Sequence, residues 1–410
     1  MRPVWCIVFA FATLVSCNSG KNTAAAKSAE WMGTWATAPQ LVEPGNMPPQ
    51  PGLSNNTIRQ IVRVSAGGRK LRVRFSNLFS KQTVTLKSAA IAAVREGSCV
   101  DDATQLLLRF KGKEETTMEP GAEIFSDPVD FELKPGSLLA ITIYFGETSP
   151  SITGHPGSRT TSYILSGNQV KSVDFKGAVK TDHWYVIQGI DVMVAPDAFA
   201  IAVLGNSITD GRGSGTNRQN RWTDILSDRL LAASVTKNTG VLNLGIGGNC
   251  VLRGGLGPTA LARFDRDILS QSNAKYLLIL EGINDIGGIK NAGDAAKIAA
   301  ELIAAYTLMA DKAHEKGMKV FGCTILPFEG SFYDKPFRQQ ARSTVNEWIR
   351  TTRKFDAIID FDKAMRDPAD VNKILSHLHD NDWLHPNEAG YKKMGEVIDL
   401  NLFAQKNKHK

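Results

Sequence analysis

Cysteine is scarce in this chain, with five among 410 residues, and two of them, Cys6 and Cys17, fall within the first seventeen. The other three, Cys99, Cys250 and Cys323, are odd in number and widely spaced, so at most one bridge can form and a disulfide framework is excluded. Their spacing matches no metal-ligand pattern, and buried free thiols are the expectation. Excess charge of one sign is modest too. The 48 Lys and Arg against 41 Asp and Glu leave +7, spread along the whole length, which does not imply nucleic acid as a partner. The only dense basic tract is the tail 406–410, read as a solvated terminus. Beyond residue 20 no apolar run approaches the ~20 residues of a membrane span. What remains, 42% hydrophobic and 22% charged residues, is a globular composition. The length exceeds one ordinary core, so two domains are expected.

The N-terminus differs from the rest. "MRPVWCIVFAFATLVSC" carries one Arg, then an apolar stretch, then small residues, which is the layout of an export signal. Its ending "LVSC", Leu14 to Cys17, resembles a bacterial lipoprotein signal. That resemblance implies removal of residues 1–17 up to a lipidated Cys17, a tether over 18–30, and attachment to a membrane of the cell envelope. A plain secretory signal cleaved nearby is the alternative.

Two periodicities divide the remainder. Residues 31–195 read as β. "IVRVSAGGRKLRVRFSN" suggests two short strands joined in a tight hairpin at Gly67-Gly68. Leu71, Val73 and Phe75 alternate with Lys70, Arg72 and Arg74, the pattern of one buried and one wet face. Further short strands with turns at Pro120-Gly121 and Pro135-Gly136 predict a β-sandwich. Residues 196–410 behave otherwise. "AFAIAVLG", "VLNLGIG", "KYLLILEG" and "MKVFGCTIL" are continuous apolar runs, as in strands buried on both faces, and a fifth strand is expected in "AIIDF". Amphipathic helices are expected over 222–233, 292–316 and 336–354. This alternation predicts a parallel sheet covered by helices on both faces, with reactive groups at the carboxyl ends of its strands.

Four loops then stand out. Gly205-Asn206-Ser207 follows the first strand, Gly247-Gly248 the second, and Gly282 with Asn284-Asp285 the third. Asp382 and His385 lie beyond the last strand. A serine hydroxyl needs a base within hydrogen-bond reach to act as a nucleophile, and His385 is the candidate base. Asp382, three residues earlier, can turn back to orient the ring. Acyl transfer also needs donors for the developing oxyanion, and Ser207 N–H, Gly248 N–H and the Asn284 amide can supply them.

The stretches "GNSITDG", "NLGIGGN", "GIND" and "DWLHP" resemble, in order, the four sequence blocks of the SGNH, or GDSL, hydrolases. The resemblance implies a three-layer α/β/α flavodoxin-like domain with Ser207 as nucleophile and Asp382 and His385 completing the triad. It places Gly248 and Asn284 in the oxyanion hole and calls for no metal or organic cofactor. "WMGTWATAP", "FSN" and "HPGSRTTSY" in the β half resemble the two-domain branch that includes acetyl xylan esterases, with an accessory sandwich packed on the catalytic domain. The implied reaction is hydrolysis of O-acetyl esters of oligo- or polysaccharides. One departure is visible: Asn206 stands where the family has aspartate, from which surviving activity and an altered pH profile are expected.

Each residue also has a plainer reading. Ser207 could cap a helix. Gly247 and Gly248 could make a strand-exit turn, Asn284 could occupy a left-handed turn, and Asp285 is read as structural. His377, His379, Asp380, Asp382 and His385 could form a metal cluster, although no other part of the chain offers further ligands. Otherwise His377 and His379 are structural or rim residues, Asp360 and Asp362 cap the next segment, and His183 is packed or at an interface. The enzymatic alternatives are a lipase or lysophospholipase and an aryl esterase. The non-enzymatic one is a carbohydrate-binding lipoprotein.

Overall fold

The computed structural model describes residue 1 and residues 29–234 and 236–404. The export signal from residue 2, Cys17, the tether up to residue 28 and the basic tail from 406 lie outside the described residues. The first strand begins at Glu30, so the last tether position already belongs to the β region.

Two antiparallel sheets form the N-terminal half. One is ordered Glu30–Ala36, Ile187–Val194, Gly68–Ser76, Val129–Leu133. The other runs Val179–Thr181, Ser162–Ser166, Asn56–Arg63, Leu138–Phe145, Val84–Glu96, with shorter strands beyond. Leu71, Val73 and Phe75 of the first sheet and Ile58, Ile91 and Ile141 of the second are buried in a common core, as a sandwich requires.

Two sequence expectations are corrected here. Asn56–Arg63 and Gly68–Ser76 form no hairpin, because they belong to different sheets and residues 64–67 cross between them. Neither Gly67 nor Gly68 adopts the positive φ that a two-residue turn demands. Glycine is required at 67 for close approach, since a Cβ there would stand 2.4 Å from the Leu133 carbonyl oxygen. The face bearing Arg72 and Arg74 is not wet either. Arg74 is buried and donates to Gln271 Oε1 of the C-terminal half (3.2 Å). Arg72 pairs with Asp191 and lies over the rings of Trp31 and Phe125.

In the C-terminal half five strands, β1 (Phe199–Gly205), β2 (Thr239–Gly245), β3 (Ala274–Leu280), β4 (Lys319–Cys323) and β5 (Ala357–Ile359), make a parallel sheet of order β2-β1-β3-β4-β5. That is the flavodoxin-like order, in which the connection reverses at β1 and opens a crevice beyond the strand ends. The expected helices appear as α2 (Trp222–Ala232), α3 (Ala295–Glu315) and α4 (Pro336–Thr351), after a one-turn helix α1 (Ser207–Asp210). Ala260–Phe264, Phe361–Met365 and α5 (Glu388–Glu396) were not legible in the apolar pattern. The first two are too short for helical periodicity to register, and α5 carries two glycines. Asp360 caps Phe361–Met365 through the Lys363 N–H.

The halves are pressed together. Glu30–Ala36 packs on β2, where a Cβ on Gly240 would meet the Gly33 carbonyl at 2.3 Å. One buried cluster of apolar side chains continues through both. Cys99, Cys250 and Cys323 are free, the last two buried. Among the described residues no helix is long and apolar enough to cross a membrane.

Candidate active site

β1 runs straight into α1, and the sharp turn between them sets Ser207 at the carboxyl edge of the sheet. Asn206, not Ser207, is the helix cap, its side-chain oxygen accepting from Ile208 N–H (3.1 Å). Ser207 therefore occupies the first helical position, where its N–H has no intrahelical acceptor and its hydroxyl is free of capping. That hydroxyl lies 2.8 Å from His385 Nε2, and His385 Nδ1 lies 2.6 Å from Asp382 Oδ2. The other Asp382 oxygen accepts from the backbone N–H groups of Leu384 (3.0 Å) and His385 (2.8 Å). Burial alone would raise the Asp382 carboxyl, but the donors from His385 and Leu384 outweigh it and hold it well below the usual carboxylate range.

The loop that carries this pair is braced from beneath. Asn381 and Trp383 take left-handed backbone conformations, and the Trp383 ring covers His379 with centroids 4.1 Å apart. His379 Nδ1 accepts from Trp383 N–H, so this histidine shapes the loop, while His377 is exposed on the surface. Among the described residues no three His, Cys, Asp or Glu side chains gather to hold a metal.

The proposed donors converge on the same edge. Gly248 has φ +68°, a conformation that favours glycine, and a Cβ there would also crowd Leu256. Asn284 uses one amide hydrogen to reach the Asn249 carbonyl (2.7 Å), leaving its second N–H uncommitted. Its Oδ1 accepts from the Tyr333 hydroxyl (2.9 Å), which fixes the amide orientation. Gly248, Asn284 and Tyr333 line a cavity of about 640 Å³ whose wall includes Arg253, Lys290 and Lys297 but neither Ser207 nor His385. Asp285 also lines it, with both carboxylate oxygens committed to the backbone N–H groups of Val251 and Leu252 (2.8 and 2.9 Å).

Comparison with known proteins identifies residues 203–393 with the model of the GDSL-like lipase/acylhydrolase family. Over this segment, a little under half of its length, the chain is similar to that family. The matched segment contains Ser207, Gly248, Asn284, Asp382 and His385, and the acylhydrolase family acts on esters. Similar solved structures include a putative G-D-S-L lipolytic protein from Desulfitobacterium hafniense (22% identity, 48% of this chain, 96% of that one, TM-score 0.37). A GDSL-like lipase from Bacteroides thetaiotaomicron (20%, 51% and 90%, 0.37) and the acetylxylan esterase Axe2 from Geobacillus stearothermophilus (19%, 51% and 95%, 0.39) are also similar. No curated protein matches the chain.

Two residues that brace this edge of the sheet escaped the sequence reading. Arg263 is fully buried and joins the ends of β1 and β2 to the loop that follows β2. Its guanidinium donates to the carbonyls of Leu244 (2.7 Å) and Gly205 (3.1 Å) and to Asn249 Oδ1 (3.0 Å), and it pairs with Asp267. Glu281, at the end of β3, accepts from Asn206 Nδ2 and Gly282 N–H (both 3.2 Å) and lies 3.7 Å from Arg263. Burial, together with the nearby Asp285, raises its carboxyl to about 8 against the pull of Arg263 and Asn206. The sequence carried a trace of both: an arginine inside the apolar "ALARF" and a carboxylate closing the apolar run "KYLLILE".

Proposed function

We propose that this protein is a serine esterase that removes short acyl groups, chiefly O-acetyl, from carbohydrates. Ser207 Oγ attacks the ester carbonyl while His385 Nε2 takes its proton, and Asp382 stabilises the imidazolium that forms. The oxyanion is held by the N–H groups of Ser207 and Gly248 and by the uncommitted Asn284 amide hydrogen. Collapse of the intermediate expels the sugar alcohol with the proton from His385. Water, deprotonated by the same imidazole, then releases the acid from the acyl-enzyme. The observation that carries this reading is the unbroken hydrogen-bond chain from the Ser207 hydroxyl through both nitrogens of His385 to Asp382.

The carbohydrate part follows the resemblance of the N-terminal motifs, with 31–195 as an accessory β domain and 196–410 as the hydrolase domain. The same reading makes the protein an exported lipoprotein held by Cys17. Hydrolysis of p-nitrophenyl acetate by wild type and Ser207→Ala tests the core of it, and equal rates sink the nucleophile assignment. A chain-length series of p-nitrophenyl esters tests the acyl group, because a preference for long chains points to a lipase. Acetate release from acetylated xylan, mannan, pectin and sialic acid selects the sugar.

A further inference from the structure

The nucleophile turn α1 is four residues long, too short to fix its own direction by helical hydrogen bonding. It is held from outside at each end. Asn206 ties the start to Glu281, just past the end of β3. The far end is Asp210, whose carboxylate is fully buried and meets His155 Nε2 at 2.8 Å. His155 comes from the N-terminal β region, where its Nδ1 bonds the Ala38 carbonyl (3.0 Å) and its ring stacks on Trp184, itself edge-packed on Trp35.

The stretch after His155 wraps the same carboxylate. A Cβ on Gly157 would stand 1.9 Å from Asp210 Oδ2, so only glycine lets this chain pass. Arg159 Nη2 lies 3.8 Å from Asp210 Oδ2. Arg221 donates from Nε to the Asp210 carbonyl (3.0 Å) and from Nη2 to the Ser158 carbonyl, stitching both sides together. His155, Arg159 and Arg221 thus surround one buried acid. On its other side Asp210 lies beneath the loop of the second block, 3.4 Å from where a Cβ on Gly247 would sit.

We infer that His155 is a positioning residue for the esterase reaction: through Asp210 the N-terminal β region holds the Ser207 turn in its attack geometry. The β region is then a working part of the active site and not merely an attached module. This inference rests on the reading of Ser207 as nucleophile.

The test uses the full chain with His155→Ala, the near-isosteric Asp210→Asn, the double variant His155→Ala/Asp210→Asn, and Ser207→Ala. Thermal melting, kcat and KM on p-nitrophenyl acetate, and the rate of inactivation by a serine-directed fluorophosphonate are read for each. A misplacement of about 1 Å at a reacting group costs on the order of a hundredfold, so His155→Ala is expected to lower kcat and the inactivation rate by about 30- to 100-fold with KM changed less than about twofold. Asp210→Asn keeps the shape and loses the charge, with an expected fall of about five- to tenfold, and the double variant falls no further than His155→Ala because both break one device. Unchanged kcat and inactivation rate in a folded Asp210→Asn or His155→Ala protein overturn the inference, as do fully additive losses. If His155→Ala does not fold, Asp210→Asn alone decides. Retained activity in Ser207→Ala overturns the nucleophile reading instead, a result that the His155 and Asp210 variants do not produce.

Discussion

Asn206→Asp introduces the aspartate that the resemblance to GDSL hydrolases leads one to expect at this position, and the structure says what it meets. Asn206 and Glu281 are both buried, with Nδ2 and Oε2 3.2 Å apart. Two carboxylates at that 3.2 Å separation would repel by about 5 kcal/mol at an effective dielectric of about 20. The protein avoids that cost by leaving a proton on Glu281, whose carboxyl is already raised to about 8. Below that value the wild-type group is largely neutral and can donate to an aspartate. Above it, holding the proton costs about 1.4 kcal/mol per pH unit, so the proton route, not the Coulomb ceiling, sets the penalty. Wild type itself loses stability as pH rises from 4.5, where the unfolded carboxyl ionises, to about 8, since over that window the folded state binds the extra proton. For Asn206→Asp this decline continues past 8. The variant is expected to melt within about 0.5 kcal/mol of wild type at pH 7 and about 1.4 kcal/mol below it at pH 9. For a cooperative unit of roughly 200 residues that is a fall of about 3–6 °C at pH 9. Differential scanning calorimetry across pH 6 to 9 reads the effect, and Asn206→Asp/Glu281→Gln should remove its pH dependence. Equal destabilisation at pH 6 and pH 9, or no recovery in the double variant, refutes the reasoning.

Gly248→Ala forces a side chain into φ +68° against Leu256, at a cost of about 1 kcal/mol in stability and a larger loss in kcat, on the order of 10- to 100-fold, measured with p-nitrophenyl acetate. Tyr333→Phe removes the donor that orients the Asn284 amide; kcat should fall about fivefold, the equivalent of one net hydrogen bond, with KM little changed, whereas an unaltered kcat means the amide is held by Asn249 alone. Burial opposes ionisation of Asp360, but Arg350, the Lys363 N–H and the Thr324 hydroxyl bring its carboxyl down to about 2. Its contribution is therefore complete above pH 4 and lost as pH falls toward 2, and Asp360→Asn should cost about 1–2 kcal/mol at pH 7 in urea unfolding while flattening the acid limb.

Much of the C-terminal half was legible because its information is local. Continuous apolar runs mark doubly covered strands, and each candidate group falls in the loop just after one. The five residues singled out for chemistry, Ser207, Gly248, Asn284, Asp382 and His385, all lie on one edge of the sheet. The plainer alternative for Ser207 gave way at a single residue: Asn206 takes the cap, a choice between two adjacent polar residues that only the backbone turn can make. The β half was legible as β but not in its pairing. A glycine pair between two strands looks like a hairpin whether the chain turns back or crosses to another sheet, and which occurs depends on partners such as Ser137 and Thr34, distant in sequence.

The sequence by itself determined the alternation of elements, the order of the strands' loops and the residue types able to perform acyl transfer, since these depend on periodicity and on short spacings. Only the tertiary structure decided what holds them. Arg263 joining the ends of β1 and β2 to the next loop, Glu281 beside Asn206, and His155 reaching Asp210 across 55 positions are contacts between residues with no local pattern in common. They exist because buried charges and donors must find partners, and those partners are chosen by proximity in the folded chain and not along it.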